Sequence, residues 1–206
     1  GVFASSFYRF THPDLGASIT EWARHNIRTI IENVEKGGHN VVYSDTDSIF
    51  VQAQVETDSP INKPPDDSLV YSDWLAAKEE TLRTGNRLAE KFTKEGAELE
   101  FETALSAFFS HGAKKRYVGR VVWPREEMLI RGYEVRRTDS FRLLTSTMTE
   151  MFELILSNEE WSAVEMSKSV IDDVRGRRVE ASDLVISRSC KGSLRRDGSV
   201  DFHRAY

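Results

Sequence analysis

Residues 41–51 read VVYSDTDSIFV and set two carboxylates, Asp45 and Asp47, in the gap between two apolar, β-branched runs. The runs predict the strands of a hairpin, and a hairpin that only has to turn favours residues tolerant of positive φ, such as Asn-Gly. Asp-Thr-Asp, with a β-branched residue in the middle, is a poor choice for turning alone. Residues two apart on a strand project to the same side, so the spacing predicts paired carboxylates at an exposed tip. At about 4 Å two such charges repel by roughly 1 kcal/mol in bulk water and about 4 kcal/mol at an effective dielectric near 20. A divalent cation reverses the sign of that cost. Oxygen-only donors suit Mg²⁺ or Mn²⁺, and Mg²⁺ typically takes one or two carboxylates and completes its shell with water and substrate phosphate. The chemistry such a site serves is phosphoryl transfer with paired metals.

Two other readings stand beside this one. An Asx-type turn needs one carboxylate to accept backbone N–H groups and leaves the other solvated. A DxD after a strand can also hold Mn²⁺ on a nucleotide-sugar in a glycosyltransferase. Other donors are sparse. The histidines, His12, His25, His39, His111 and His203, have no metal-ligand repeat, and the lone Cys190 has no zinc spacing around it. Glu100 and Glu102 read as the solvated face of a strand rather than as accessory ligands.

The formal net charge of -5 argues against binding nucleic acid through the overall field, but cations concentrate locally. Lys114, Lys115, Arg116, Arg120, Arg125, Arg131, Arg136 and Arg137 form one basic run, and Arg175, Arg177, Arg178, Arg188, Lys191, Arg195 and Arg196 a second. A composition of 39% hydrophobic and 30% charged residues over 206 positions is that of a globular chain with a core, one or two domains in size. No apolar run reaches the ~18 residues needed to cross a bilayer and no secretory start is visible, so the expectation is an intracellular protein without a membrane partner. Gly1 in place of Met, with no capping or turn signal after it, reads as a piece cut from a longer chain.

The elements that must carry these residues follow from periodicity. After Pro13-Asp14 the residues Leu15, Ile19, Trp22, Ala23, Ile27, Ile30, Ile31 and Val34 predict an amphipathic helix that Gly37-Gly38 stops. The acidic hairpin follows, then a loop with Pro60, Pro64 and Pro65, then a helix over about 73–95 with Leu75, Leu82, Leu88, Ala89 and Phe92 on one side. ELEFET, 98–103, alternates as a half-buried strand, and KRYVGRVVW and MLIRGYE flank Trp123-Pro124-Arg125-Glu126-Glu127 as a second hairpin. Beyond Thr138, Phe141 to Ile155 and Trp161 to Val174 predict two helices joined at Ser157-Asn158-Glu159-Glu160, and the stretch from Ala181 shows no finishing element. A boundary near residue 136 then separates an α+β unit from a mainly helical one.

YSDTDS, 43–48, resembles the metal-binding hairpin in the palm of family B DNA polymerases. KKRY, 114–117, looks like a second family B motif, and RGYEVRR, 131–137, resembles the segment joining palm to thumb, one residue shorter after its Gly. ASITEWAR is similar to the helix before the acidic hairpin, GVFASSFY to the sequence after the fingers motif, and DLVISRS and FHRAY to thumb sequence, so the likeness spans nearly the whole chain in the expected order.

The resemblance implies an α+β fold: an antiparallel palm sheet with packed helices, residues 1–135, followed by a mainly α-helical and incomplete thumb, residues 136–206. It implies that Asp47 is the principal and Asp45 the secondary catalytic, metal-binding carboxylate, with Mg²⁺ or Mn²⁺ as cofactor. It also implies that Lys114, Lys115, Arg116 and Tyr117 face the primer-template duplex, with Arg136 and Arg137 continuing that contact. The implied activity is DNA-directed extension of a primer from dNTPs, with a sliding clamp as a further candidate partner. Terse motifs and the lack of a targeting sequence lean toward an archaeal or other prokaryotic source, and so toward a cytoplasmic, nucleoid-associated protein. The family's second essential aspartate, its fingers lysine and its exonuclease region have no counterpart in these 206 residues, which predicts an inactive fragment. A non-catalytic DNA-binding module from a decayed polymerase lineage is the alternative.

Overall fold

The computed structural model describes residues 1–54, 68–94, 99–133, 135, 140–187, 192–194, 197–198 and 200–202. The Pro60–Pro65 loop, Arg136, Arg137, Arg188, Cys190, Lys191, Arg195, Arg196 and the terminal HRAY lie outside these residues. The described elements are helices and short antiparallel hairpins, a mixed α+β architecture.

Helix α1 runs from Pro13 to Lys36. His12 caps it from an extended conformation, its ring Nδ1 accepting the Leu15 N–H at 3.3 Å, and Pro13 occupies the first position where a missing N–H costs nothing. Gly37 and Gly38 end it, Gly38 at φ +84, as the sequence predicts. Strands β1, Asn40–Asp45, and β2, Ser48–Gln52, pair antiparallel with Asp45 opposite Ser48. Helix α2 runs from Ser68 to Lys94, starting earlier than the periodicity suggests.

The sheet order β3-β4-β5 joins Ala104–Phe109, Tyr117–Trp123 and Glu127–Arg131, and β4 and β5 form the expected hairpin, Tyr117 opposite Arg131. Helices α3, Arg142–Leu156, and α4, Glu160–Arg175, pack on each other. A 3-10 turn at Ala181–Leu184 and a small hairpin of β6, Gly192–Leu194, and β7, Val200–Phe202, follow.

The chain divides into two compact units, Gly1–Ala104 with Val122–Pro124, and Leu105–Val121 with Arg125–Tyr206. In the first, Ile30 and Val34 of α1 meet Phe92 of α2, with Val41, Ile49 and Val51 of the acidic hairpin packed against them. A neighbouring cluster joins Trp74, Ala104 and Val122, with Phe101 stacked on Trp123 at 5.1 Å between ring centres. In the second, Val118 and Ile130 of the β4-β5 hairpin meet Phe152 and Leu156 of α3. Arg120 fastens the same two elements, donating to Glu153 at 2.9 Å and to the Ser157 hydroxyl at 3.0 Å.

Several expectations are corrected here. Residues 99–103 are not a strand; Leu99 and Phe101 turn inward onto the two clusters beside α2 while Glu100 and Glu102 face water, so packing alone produces the alternation. The strand begins at Ala104, and ALSAFF carries no period-2 signal because it is partly or wholly buried throughout. Near the start of α2 the buried residue is Trp74, one position from the anticipated Leu75, which is exposed. In α1 the stripe is buried only in its last turns, since Leu15, Ile19 and Trp22 are exposed. In α4 the small Ala163 is buried while Trp161, Val164, Ile171 and Val174 are exposed. The chain after Ala181 does close on a hairpin, β6-β7. Among the described residues, no helix is long and apolar enough to cross a membrane.

Candidate functional site

The acidic tip is built on a hairpin whose inner side is anchored in the core by Val41, Ile49 and Val51. The chain leaves β1 at Asp45, and Thr46 and Asp47 form the connection. The Asp47 N–H donates to the Asp45 carbonyl at 2.6 Å, closing a three-residue turn around Thr46, and Thr46 sits at φ +54. That conformation is uncommon for any residue with a Cβ and an outlier for a β-branched one, so the tip carries backbone strain of order 1–3 kcal/mol. The hydroxyls on either side of Asp47 help hold it: Ser48 Oγ donates to the Asp45 carbonyl at 3.0 Å and Thr46 Oγ1 to Asp45 Oδ1 at 3.1 Å. The two acids therefore share one tight turn, rather than the pleat of one strand as the spacing suggested.

Asp45 is half-buried and Asp47 exposed. The hydroxyl of Thr46 occupies one oxygen of Asp45, and the Asp47 carboxylate has no partner among the described residues. No group of three or more His, Cys, Asp and Glu side chains able to hold a metal occurs among the described residues. Two carboxylates on an exposed turn, without nitrogen or sulfur donors, fit a hard cation that draws its remaining oxygens from water and a phosphorylated substrate, and do not fit a closed structural site. Tyr43 lies two residues before Asp45, its ring set edge-on to Phe50 across the hairpin at 5.6 Å.

The basic motif occupies a turn of the second unit. Lys114 and Lys115 precede β4, Lys115 at φ +62; Lys114, Lys115 and Arg116 are exposed, and Tyr117, half-buried, opens the strand beside Phe108. Opposite Tyr117 stands Arg131, so KKRY and the start of RGYE share one end of the β4-β5 hairpin. Gly132, at φ +72, makes that approach possible: a Cβ there would press on the Lys115 carbonyl oxygen, far inside van der Waals contact. Next to it, the Tyr133 hydroxyl hydrogen-bonds His111 Nδ1 at 2.9 Å, and burial raises its pKa above the usual phenol value while the Arg116 charge opposes the shift.

The wide basic run in the sequence is thus narrower in space. Arg120 is committed to Glu153 and Ser157, and Arg125 pairs with Glu127 at 3.0 Å; Lys114, Lys115, Arg116 and Arg131 stand at the Tyr117–Arg131 end of the hairpin. Arg178, from the second basic run, pairs with Asp173 at 2.8 Å. Sequence reasoning missed the pairing of His111 with Tyr133, since residues 22 apart carry no local signal; the Gly in RGYE was the available hint of a close backbone approach.

Comparison with known proteins identifies the class. Residues 66–197 match the sequence model of DNA polymerase family B, well over half of the chain, and the chain belongs to that family. Among its relatives are the DNA polymerase of Archaeoglobus fulgidus, 30% identical over 90% of this chain, the DNA polymerase delta catalytic subunit of Candida albicans, 28% over 91%, and DNA polymerase II of Escherichia coli K12, 28% over 88%. The family match begins after the acidic hairpin, but a likeness over 90% of a chain this long necessarily runs across both residues 43–48 and 114–117. The chain spans 22%, 18% and 23% of the lengths of these three relatives.

Proposed function

We propose that this chain is the C-terminal part of the palm, residues 1–135, and part of the thumb, residues 136–206, of a DNA-directed DNA polymerase that extends a primer on a DNA template from dNTPs. In this reading Asp47 is the principal and Asp45 the secondary carboxylate for Mg²⁺ or Mn²⁺. Lys114, Lys115, Arg116 and Tyr117 contact the primer-template duplex, and Arg136 and Arg137 extend the contact. The observation that carries it is the strained turn at Thr46: a β-branched residue is held at positive φ between two carboxylates, where a simple turn would use Asn-Gly.

When bound, the divalent ion supplies charge neutralisation and Lewis acidity to the transferring phosphoryl group. The protein's own share is positioning. The valines and isoleucine of the hairpin fix the height of the tip, Thr46 and Ser48 hold Asp45 by hydroxyl contacts, and Asp47 stays exposed to meet ligand. The cations of the KKRY turn bind phosphate without reading sequence, and the Tyr117 ring offers a flat, polar-tipped surface for sugar or base.

Two measurements test this. Purified as the 206-residue chain, the protein is expected to bind duplex DNA weakly and with strong salt dependence, and to show no Mg²⁺-dependent primer extension, because the partner aspartate and the nucleotide-binding lysine of the family are not in its sequence. Measurable extension would overturn the second expectation. Lys114→Ala with Lys115→Ala should weaken duplex binding and lower the slope of log K against log salt by about 0.9 for each phosphate no longer neutralised. An unchanged affinity and slope would remove the duplex from this turn.

A further inference from the structure

The turn that carries the lysines is not held by its own hairpin alone. Within it, Ser110 Oγ donates to the Arg116 carbonyl at 3.1 Å and accepts the Gly112 N–H at 3.4 Å, while the Arg116 N–H reaches the Ala113 carbonyl at 3.2 Å. These bonds close residues 110–116 on themselves, but they lie at the surface, where such bonds open readily unless a further contact holds the loop. One such contact comes from outside the loop: the Tyr133 hydroxyl, bonded to His111 Nδ1 at 2.9 Å. Tyr133 is in turn seated on the buried Phe152 ring of α3, 4.7 Å between centres, and follows Gly132, whose backbone lies against Lys115.

We infer that Tyr133 and His111 are positioning residues that hold the Lys114–Arg116 turn in the orientation in which its cations meet the phosphate backbone of duplex DNA. The inference rests on the duplex-contacting reading of residues 114–117 and deepens it. Two long lysine side chains on an unrestrained loop can each find a phosphate, but every binding event must then order the loop; in a loop fixed beforehand that entropy is already lost at folding. The hydroxyl of Tyr133 is one atom, remote in sequence from the turn, through which the hydrophobic core of the second unit sets the direction of these exposed cations. The charge of Arg116, close enough to oppose the rise in the Tyr133 pKa, places that side chain beside the same latch.

Tyr133→Phe removes only the hydroxyl and keeps the ring on Phe152, so the fold should remain. The expected result in the 206-residue chain is a three- to tenfold loss of affinity for a primer-template duplex, the scale of one net hydrogen bond, with the thermal midpoint unchanged. The salt slope should fall by about 1, because a misdirected turn loses a phosphate partner, which a merely structural role would not produce. His111→Ala should match it, and His111→Gln, which can still pair with the hydroxyl, should recover most of the affinity. Without DNA, amide hydrogen exchange at Gly112 and Arg116 should speed up in Tyr133→Phe by a similar factor.

The outcomes separate the two claims. If Lys114→Ala with Lys115→Ala weakens binding but Tyr133→Phe changes neither affinity nor slope, the latch is wrong and the duplex reading stands. If the lysine variant is without effect while exchange at Gly112 and Arg116 still accelerates in Tyr133→Phe, the latch exists but does not serve DNA, and the inference fails with the reading it rests on. Unchanged exchange in Tyr133→Phe overturns the latch whatever the DNA data show.

Discussion

Asp47→Ala, introduced into the intact polymerase proposed above, is expected to lower the rate of primer extension by about a thousandfold or more, beyond the usual cost of losing one electrostatic stabiliser. Asp47 is exposed, sits in the turn rather than in the ladder, and its carboxylate has no partner among the described residues, so little folding energy depends on it. The stability of the variant should stay within about 0.5 kcal/mol of the parent, as for a surface substitution away from any special contact. Asp47→Asn keeps the shape and removes the charge, and should be nearly as inactive. Asp45 differs in kind, because its side chain is half-buried and accepts from the Thr46 hydroxyl. Asp45→Ala should therefore combine a loss of rate with a measurable loss of stability. Steady-state extension on a primed template, with thermal unfolding of the same preparations, checks both statements; near-normal turnover in Asp47→Ala would reassign the site.

The second large effect is on folding. Gly132→Ala is expected to destabilise the second unit by about 3–4 kcal/mol, of which about 1–2 kcal/mol is the cost of a left-handed backbone for a residue with a Cβ and the rest overpacking. The clash is with the backbone carbonyl of Lys115, and no rotamer change can relieve it. Relief requires the strand ends to separate, which pulls the KKRY turn away from Arg131 and Tyr133. Gly112→Ala supplies the control: Gly112 also has a positive φ, +85, but a Cβ there meets nothing within 4 Å. It should cost only the conformational part, about 1–2 kcal/mol. Urea unfolding of the two variants beside the parent measures the difference directly, and equal costs would contradict the close approach.

What could be read from the sequence was what local chemistry determines. Pro13 and Gly37-Gly38 bracket α1, Pro124-Arg125-Glu126 separates β4 from β5, and the interruption of two apolar runs at Asp45-Thr46-Asp47 marks the tip. The motif strings supplied the family, which residues 66–197 bear out. What escaped depends on partners distant in the chain. Arg120 looked like one more cation of a basic run until Glu153, 33 residues on, took it up. ELEFET alternates because Leu99 and Phe101 find α2 and Trp123, although residues 99–103 are not themselves a strand. The apolar stripe of α4 is legible as a stripe, yet its burial is decided by what lies across from it: α3 meets the small Ala163 face, and Trp161 remains exposed. At the tip, the sequence predicted neighbouring acids but not the means, since the γ-type bond from Asp47 to Asp45 and the positive φ of Thr46 are consequences of closing the hairpin in two residues.

If Asp45 and Asp47 act as proposed, the acidic turn must receive a hard divalent ion. Titrating Mn²⁺ into the isotopically labelled 206-residue chain and recording amide signals reads this without any catalytic assay, because the unpaired electrons broaden resonances near the bound ion. The result predicted is early, selective loss of the signals of Ser44 to Ile49, competed by Mg²⁺ and abolished by Asp47→Ala. Broadening that begins at other acidic residues, or that leaves Ser44 to Ile49 untouched, would contradict the assignment of Asp45 and Asp47 as metal ligands.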